Sequence, residues 1–219
     1  MKKGEFLSQY ELYLANGHDY VEIAGIKWAT MNVGAKKVTD HGLYFQWGDT
    51  KGYTTSDVGF GTRQKVFTLA DYKHYRSNGT PISEITKYNV TDGKMVLDLP
   101  DDAVHANWGG GWRMPTKNEF ATLGKAVTTA WTTDYQGSGV AGLVLTDKVD
   151  NSKVLFFPAA GFCNYGDAYY VGIIGYYWSS SLFNEAKLLT LGLNFGSFHV
   201  HWQYSHVRYL GLPVRGVIG

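Results

Sequence analysis

Apolar and polar residues alternate most regularly near the C-terminal end of the chain. Every second position from Leu189 to Phe195 is apolar, and after a turn at Gly196 and Ser197 the alternation continues to Ser205. Alternation of this kind is typical of strands with one buried face, so we predict a hairpin with a core side and a displayed side. The inner positions of its second strand are Val200, Trp202 and Tyr204, and the outer positions of the two strands are Thr190, Gly192, Asn194, His199, His201, Gln203 and Ser205.

Other patterns predict an α+β fold, with short helices packed on a small antiparallel sheet and long irregular inserts. Thr116 and Glu119 have the spacing of a capping box, which predicts a helix over 117–127. We expect a lead-in helix within 1–19 and a single main domain over 20–219. The remaining strands are expected at 20–29 as a hairpin, at 142–145, at 154–158 and at 212–217, the last pairing with the first hairpin.

The composition fits one folded domain without nucleic acid as a partner. The chain has 219 residues, of which 44% are hydrophobic, enough to form a core. Its 20 basic and 19 acidic residues leave a net charge of +1, so no basic field attracts a polyanion. No run of about 18 apolar residues occurs and no apolar signal core follows Met1, so we expect neither a membrane span nor a classical export signal.

The sequence lacks the motifs of common enzyme sites. It has no Gly-x-Ser-x-Gly elbow, no Gly-x-Gly-x-x-Gly after a predicted strand and no phosphate-binding loop. Cys163 is the only cysteine, and its apolar neighbours predict that it is a small buried hydrophobe. We therefore expect no enzymatic activity and no cofactor.

Two groups of residues have partial metal-ligand character. His199 and His201, with His206 nearby, stand at alternate strand positions, so their imidazoles can converge on an ion or simply stack and hydrogen-bond on an exposed face. The second group is Asp98, Asp101 and Asp102. Carboxylates in such a loop bind calcium or, more often, cap helices and turns. Because neither group has a complete ligand set, we expect no bound metal.

Aromatic residues are unusually frequent and charged residues are scarce. The chain contains 7 Trp, 16 Tyr and 11 Phe but only 18% charged residues, below the usual share of roughly 25%. The imbalance is strongest after Ala160, where the only charged residues are Asp167, Glu185, Lys187, Arg208 and Arg215. Tyr, Trp, Ser, Gly and Asn in such proportions are typical of recognition surfaces. The terminal segment is therefore the predicted binding region.

Six short segments rich in aromatic residues and glycine are spread along the chain. They are IKWATMNVGA (26–35), YFQWG (44–48), NWGGGWRMPT (107–116), FPAAG (157–161), YWSSS (177–181) and RYLGLPVR (208–215). In content and order they resemble proteins of the C-type lectin fold, which include the formylglycine-generating-enzyme-like domains. The resemblance is closest to the variable proteins diversified by retroelements in bacteria and their phages, and it covers about residues 20–217.

The resemblance implies a C-type lectin fold with a variable, ligand-binding region over about 178–217. In diversified members, adenine mutagenesis rewrites Asn-rich template codons while the framework stays fixed. The implied ligand is a protein or glycan on a target cell surface, and the implied location is a phage particle or a bacterial surface, with the oligomeric state left open. The implied ligand-binding positions are Phe183, Glu185, Lys187, Leu188, Gly192, His199, His201, Gln203, Tyr204, Ser205, His206 and Leu210.

Other branches of the same superfamily imply other functions. The chemistry implied for the oxidative-enzyme branch needs paired active-site cysteines, whereas Cys163 is the only cysteine of this chain. The Glu-Pro-Asn and Trp-Asn-Asp motifs of calcium-dependent sugar binding do not occur either. The remaining alternative is an undiversified structural surface or tail domain of the same fold. It predicts that four residues are buried or lie between copies of the chain, namely His199, His201, Tyr204 and His206.

Overall fold

The computed structural model describes residues 15–61, 63–77, 85–183 and 188–219. Strands dominate and the helices are few, so the fold is α+β as predicted. Residues 1–14, which contain most of the predicted lead-in helix, lie outside the described residues. Within the described part, no helix has the length and apolar character needed to cross a membrane. The elements are β1 (Tyr20–Ile23), β2 (Ile26–Asn32), α1 (Ala103–Trp108), α2 (Lys117–Ala126), β3 (Val127–Thr132), β4 (Gly142–Asp147), β5 (Val154–Pro158), β6 (Phe162–Asn164), β7 (Asp167–Tyr169), β8 (Gly175–Leu182), β9 (Leu189–Gly196), β10 (His199–Val207) and β11 (Arg215–Ile218).

The first and last strands belong to one sheet, ordered β1-β2-β11. β1 and β2 form a tight hairpin in which Ile23 lies opposite Ile26. β11 pairs antiparallel with β2 and places Val217 opposite Trp28. The predicted pairing of the closing segment with the first hairpin is confirmed.

The predicted helix is confirmed as α2 and carries the expected capping box. Thr116 Oγ1 accepts a hydrogen bond from the Glu119 backbone N–H at 3.3 Å, and the Thr116 N–H donates to the Glu119 carboxylate at 2.7 Å. Further along α2, Gly124 allows close packing, because a Cβ there would come within 2.5 Å of the Trp202 indole of β10. α2 therefore covers one face of β10.

The strands with the clearest alternation belong to the sheet ordered β10-β9-β8. β9 is the central strand, and the prediction that Thr190, Gly192 and Asn194 face solvent is wrong, because all three are buried. The small residues of β9 let rings of the outer strands close over it, and His206 of β10 lies 5.9 Å from Trp178 of β8. The predicted core positions Trp178, Leu193 and Phe195 are buried, and Val200 and Trp202 are half-buried.

A third sheet, ordered β3-β4-β5, lies beside these strands. Its strands β4 and β5 confirm the predictions at 142–145 and 154–158. Leu143 and Leu145 of β4 share a hydrophobic core with Leu193 and Phe195 of β9. The sheet thus supports the inner face of β9 and reaches the β9–β10 turn.

The segment between β2 and α1 is largely irregular and is held by buried and half-buried side chains. Asp71 accepts hydrogen bonds from the backbone N–H groups of Phe67 and Thr68 at 3.1 and 2.6 Å. Asp101 bonds Lys73 at 2.8 Å and the Tyr88 hydroxyl at 2.8 Å. These bonds fix loops that have no sheet ladder of their own.

Two buried arginines anchor the chain after β10. Arg208 lies over the Trp47 ring, with its guanidinium carbon 5.1 Å from the ring centre. Arg215 is fully buried, and burial lowers its pKa to about 10, so it stays charged at neutral pH. Its guanidinium donates three hydrogen bonds of 2.9 Å, to Asn32 Oδ1, to the Ala29 carbonyl and to the Phe156 carbonyl.

Candidate functional site

The predicted ligand-binding residues differ widely in exposure. The set follows from composition and resemblance, which do not determine exposure. The position of each strand in the sheet decides which side chains reach solvent. Glu185 and Lys187 lie outside the described residues; Gly192, His206 and Leu210 are buried; Leu188, His199 and Ser205 are half-buried; and Phe183, His201, Gln203 and Tyr204 are exposed. Most of the accessible positions therefore lie on β10.

Four rings of β10 form a continuous line, which we call the aromatic row: His199, His201, Tyr204 and His206. The centres of successive rings lie 5.1, 5.6 and 5.0 Å apart. These distances are within the range of favourable ring pairs. The row places adjacent rings on one side of an edge strand, while Trp202 on the other side packs against α2.

A register shift in β10 brings Tyr204 into this row. His201 lies opposite Asn194 and Tyr204 lies opposite Gly192, so three steps along β10 match two steps along β9. The extra residue reverses the alternation, as a β-bulge does. Strict alternation predicted Tyr204 on the inner side with Val200; that prediction is wrong, and Tyr204 is 44% exposed.

His206 is the buried end of the aromatic row. It is only 6% exposed, and its ring lies 5.0 Å from that of Tyr176 as well as beside Trp178. Burial lowers its pKa to about 4, so the ring is neutral at physiological pH. Its Nε2 has no hydrogen-bond partner among the described residues. His206 therefore contributes a neutral support beneath the exposed rings.

The line of rings continues beyond β10 onto the β6–β7 hairpin and the loop that follows it. Tyr176 lies 5.3 Å from Phe162, and Phe162 lies 5.4 Å from Tyr169 and 5.9 Å from Tyr170. We call residues 162–174 the tyrosine hairpin. Its exposed large side chains are Tyr165, Tyr169, Tyr170, Val171 and Ile173. Contacts of the half-buried Tyr176 and Phe162 rings thus connect the aromatic row to the tyrosine hairpin.

Sequence reasoning did not include the tyrosine hairpin in the site. Tyr165 and Tyr170 have φ values of 46° and 57°, a conformation that Asn and Gly adopt more readily. Both residues lie near turn glycines, Gly166 and Gly172, in a segment with Asp167 as its only charge. Tyrosines at turn positions, where short polar residues are usual, are the signal that could have identified this hairpin.

The combined surface carries little charge. Of the charged residues after Ala160, Arg208 and Arg215 are fully buried and donate hydrogen bonds to backbone carbonyls, and Asp167 is exposed on the tyrosine hairpin. The contacts it offers are aromatic faces, hydroxyls and imidazoles. Such a surface suits an uncharged part of a ligand.

Cys163 has the environment of a structural thiol. It is fully buried and free, as predicted, and burial raises its pKa to about 12. The reactive form of cysteine is the thiolate, which is scarce at neutral pH under these conditions. Its place in the packing therefore gives it no nucleophilic character.

The carboxylates considered as metal ligands have protein partners. Asp102 caps α1 by accepting hydrogen bonds from the Val104 and His105 N–H groups at 2.9 and 3.0 Å, which confirms the capping interpretation for this residue. Asp98 pairs with Lys94 at 2.5 Å. Within the described ranges, no group of three His, Cys, Asp or Glu side chains has an arrangement that could hold an ion.

Comparisons of this chain with protein-family models, with curated proteins and with solved structures give no match.

Proposed function

We propose that this chain is a ligand-binding protein whose recognition surface is the aromatic row together with the tyrosine hairpin. The observation that carries the proposal is that His201 and Tyr204 expose their rings on one side of an edge strand, while Trp202 ties the other side to α2. Rigidly supported aromatic residues give large contact area at low entropic cost. The protein acts by binding and not by catalysis.

The fold in this proposal is a C-type lectin fold, and the surface is that of a retroelement-diversified variable protein. The fixed framework is supplied by Trp28, Trp47, Trp112 and Trp178, all fully buried. Burial argues for a smaller set of variable positions than the resemblance implies, because a substitution at Gly192 would drive its Cβ into the Tyr177 carbonyl oxygen. We expect exchange to be tolerated at the described positions that are not buried, namely Phe183, Leu188, His199, His201, Gln203, Tyr204 and Ser205.

The ligand in this proposal is a protein or glycan on a target cell, contacted through an uncharged patch. The protein is presented on a phage particle or a bacterial surface. Affinity comes from a few aromatic anchors, and the surrounding residues provide fit.

The alternative function is a structural surface or tail domain of the same fold. The observation that favours it is the burial of His206 and Leu210, two positions that the resemblance assigns to ligand binding. It requires the exposed His201 and Tyr204 to be covered by another copy of the chain. Chemical crosslinking and light scattering at micromolar concentration distinguish the two, because a monomer with exposed rings contradicts the structural role.

The diversification proposal is tested by sequencing the DNA that flanks the gene. We expect a reverse-transcriptase gene and a near-copy of the segment encoding 181–215, with differences confined to template adenines. Differences should fall at codons of the exposed β10 residues and spare the codon of Gly192. The absence of both the template and the reverse transcriptase contradicts diversification.

The binding proposal has a separate protein-level test. One displayed library varies His199, His201, Gln203, Tyr204 and Ser205 of β10, and a matched library varies five buried residues of β8 and β9. We expect most members of the first library to fold and some to bind a chosen target protein, while most members of the second are unfolded. Equal folding of both libraries contradicts the proposed division between surface and framework.

A further inference from the structure

A cleft of about 310 Å³ opens beside the turn that joins β9 to β10. One wall is formed by this turn, and the other by β3 and β4 of the neighbouring sheet. The cleft shares His199 with the aromatic row, but its other lining residues are outside the ligand-binding set implied by the sequence. Its size is at the lower end of the range of small-molecule pockets.

The apolar part of the cleft consists of aliphatic side chains and two aromatic rings, Trp131 and Phe198. Leu143 is buried, and Trp131 is half-buried with its indole 6.5 Å from the ring of the buried Phe195. Val200 completes this apolar side. At the mouth, Phe198 is 98% exposed, so its ring adds nothing to the core. An apolar floor with a free ring at its mouth suits a flat, uncharged group.

The polar part of the cleft includes the imidazole of His199, whose two nitrogens have different hydrogen-bonding roles. His199 Nε2 lies 3.0 Å from Asn194 Oδ1, and the Asn194 amide nitrogen donates to the Gly175 carbonyl at 3.4 Å. Because that orientation makes Oδ1 an acceptor, His199 Nε2 is the donor of this hydrogen bond. His199 Nδ1 is then an acceptor, and the hydroxyls of Thr129 and Ser197 lie in the same cleft.

We propose that this cleft binds a tyrosine or tryptophan side chain of a protein ligand, with its ring against Trp131 and its O–H or N–H donated to His199. The inference rests on the proposed ligand-binding function, since the side chain belongs to that ligand. Apart from His199, none of the residues that line the cleft is ionisable, so a charged group would be desolvated without a partner. A sugar ring has hydroxyls around its whole edge and needs more polar partners than the four polar side chains that line this cleft.

The test is an NMR titration of the ¹⁵N-labelled full chain with N-acetyl-tyrosinamide. We expect saturable shifts confined to the cleft residues, with a dissociation constant in the millimolar range appropriate to one side chain. N-acetyl-phenylalaninamide, which lacks the hydroxyl donor, should bind about fivefold more weakly. Methyl glucoside should cause no saturable shift. Saturation by the glucoside but not by the tyrosine probe, or shifts outside the cleft, would overturn the proposal.

Two matched variants locate the effect. F198A removes an exposed ring at the cleft, and F60A removes an exposed ring outside the cleft lining. We expect F198A to weaken N-acetyl-tyrosinamide binding at least threefold and F60A to leave it unchanged, while both keep the dispersed spectrum of the folded chain. Equal affinities for the two variants overturn the cleft assignment. If the genomic template is missing but the titration saturates, only the diversification proposal is contradicted. If the template is present but N-acetyl-tyrosinamide causes no saturable shift, only the cleft assignment is contradicted.

Discussion

β9 and β10 have nearly the same alternation in sequence but differ in exposure. β9 is buried on both faces over most of its length, whereas β10 carries the exposed residues His201, Gln203 and Tyr204. The difference arises from sheet order, because β9 lies between two strands and β10 lies at the edge. One hairpin thus joins a strand that belongs to the framework to a strand suited to variation.

β9 also supports the exposed surface of β10. The small residues of β9 allow His206 and Trp178, from strands on either side, to approach each other across it. The exposed rings of β10 are therefore supported by buried side chains, among them the neutral imidazole of His206. A change in β9 should alter stability first, and a change in β10 should alter recognition first.

The largest expected effect is that of Leu193→Ala in β9. Leu193 is fully buried in the core shared with β4, so the substitution leaves a cavity. We expect a loss of about 2–5 kcal/mol in the free energy of unfolding, measured by denaturant titration. A loss below about 1 kcal/mol contradicts the central position of β9.

Gly192→Ala should have the next largest effect. Its Cβ would collide with the Tyr177 carbonyl oxygen, which belongs to the backbone of β8 and cannot move aside like a side-chain end. Overpacking of this kind costs about 1–3 kcal/mol of unfolding free energy. A variant as stable as the parent in thermal unfolding would show that position 192 can vary after all.

The third prediction concerns pH and His206. Its folded pKa is lowered by burial to about 4, so below the unfolded value of about 6.5 the unfolded chain takes up the proton first. Stability from this group is therefore complete above pH 6.5 and is lost as pH falls toward 4. The contribution lost between pH 7 and pH 5 is about 1–2 kcal/mol.

The matched measurement compares unfolding free energies of the parent and His206→Gln at both pH values. The half-buried His41 and the buried His74, whose pKa values are also lowered by burial, are present in both proteins and cancel in the difference. We expect the parent to lose more stability than the variant between pH 7 and pH 5. The same loss in both would mean that His206 is not a buried neutral group.

Local signals in the sequence predicted α2 and most strands, whereas the short helix α1 was not predicted. The Thr116 and Glu119 pair located the start of α2 because a capping box is complete within four residues. Alternation located β9 and β10 because a strand with one buried face has a period of two. The pairing of β11 with β2 followed from the short extended segments at both ends.

The exposure of the site could not be predicted in the same way. Alternation gives two faces but not the order of strands, so nothing local to 189–196 shows that β9 is central. The register shift that exposes Tyr204 depends on its pairing with Gly192, a contact between two strands. The tyrosine hairpin joins the surface only through the contact of Phe162 with Tyr176, which no single segment encodes.

The smallest expected effect on stability is that of Tyr204→Ala in β10. Its ring is partly exposed and contacts His201 and His206, so its removal leaves no closed cavity. We expect a change within about 0.5 kcal/mol in denaturant unfolding, typical of surface positions. Tyr177→Ala is the matched change at a fully buried position of β8 and should cost several times more. Similar losses for the two tyrosines would place Tyr204 in the framework and remove β10 from the proposed recognition surface.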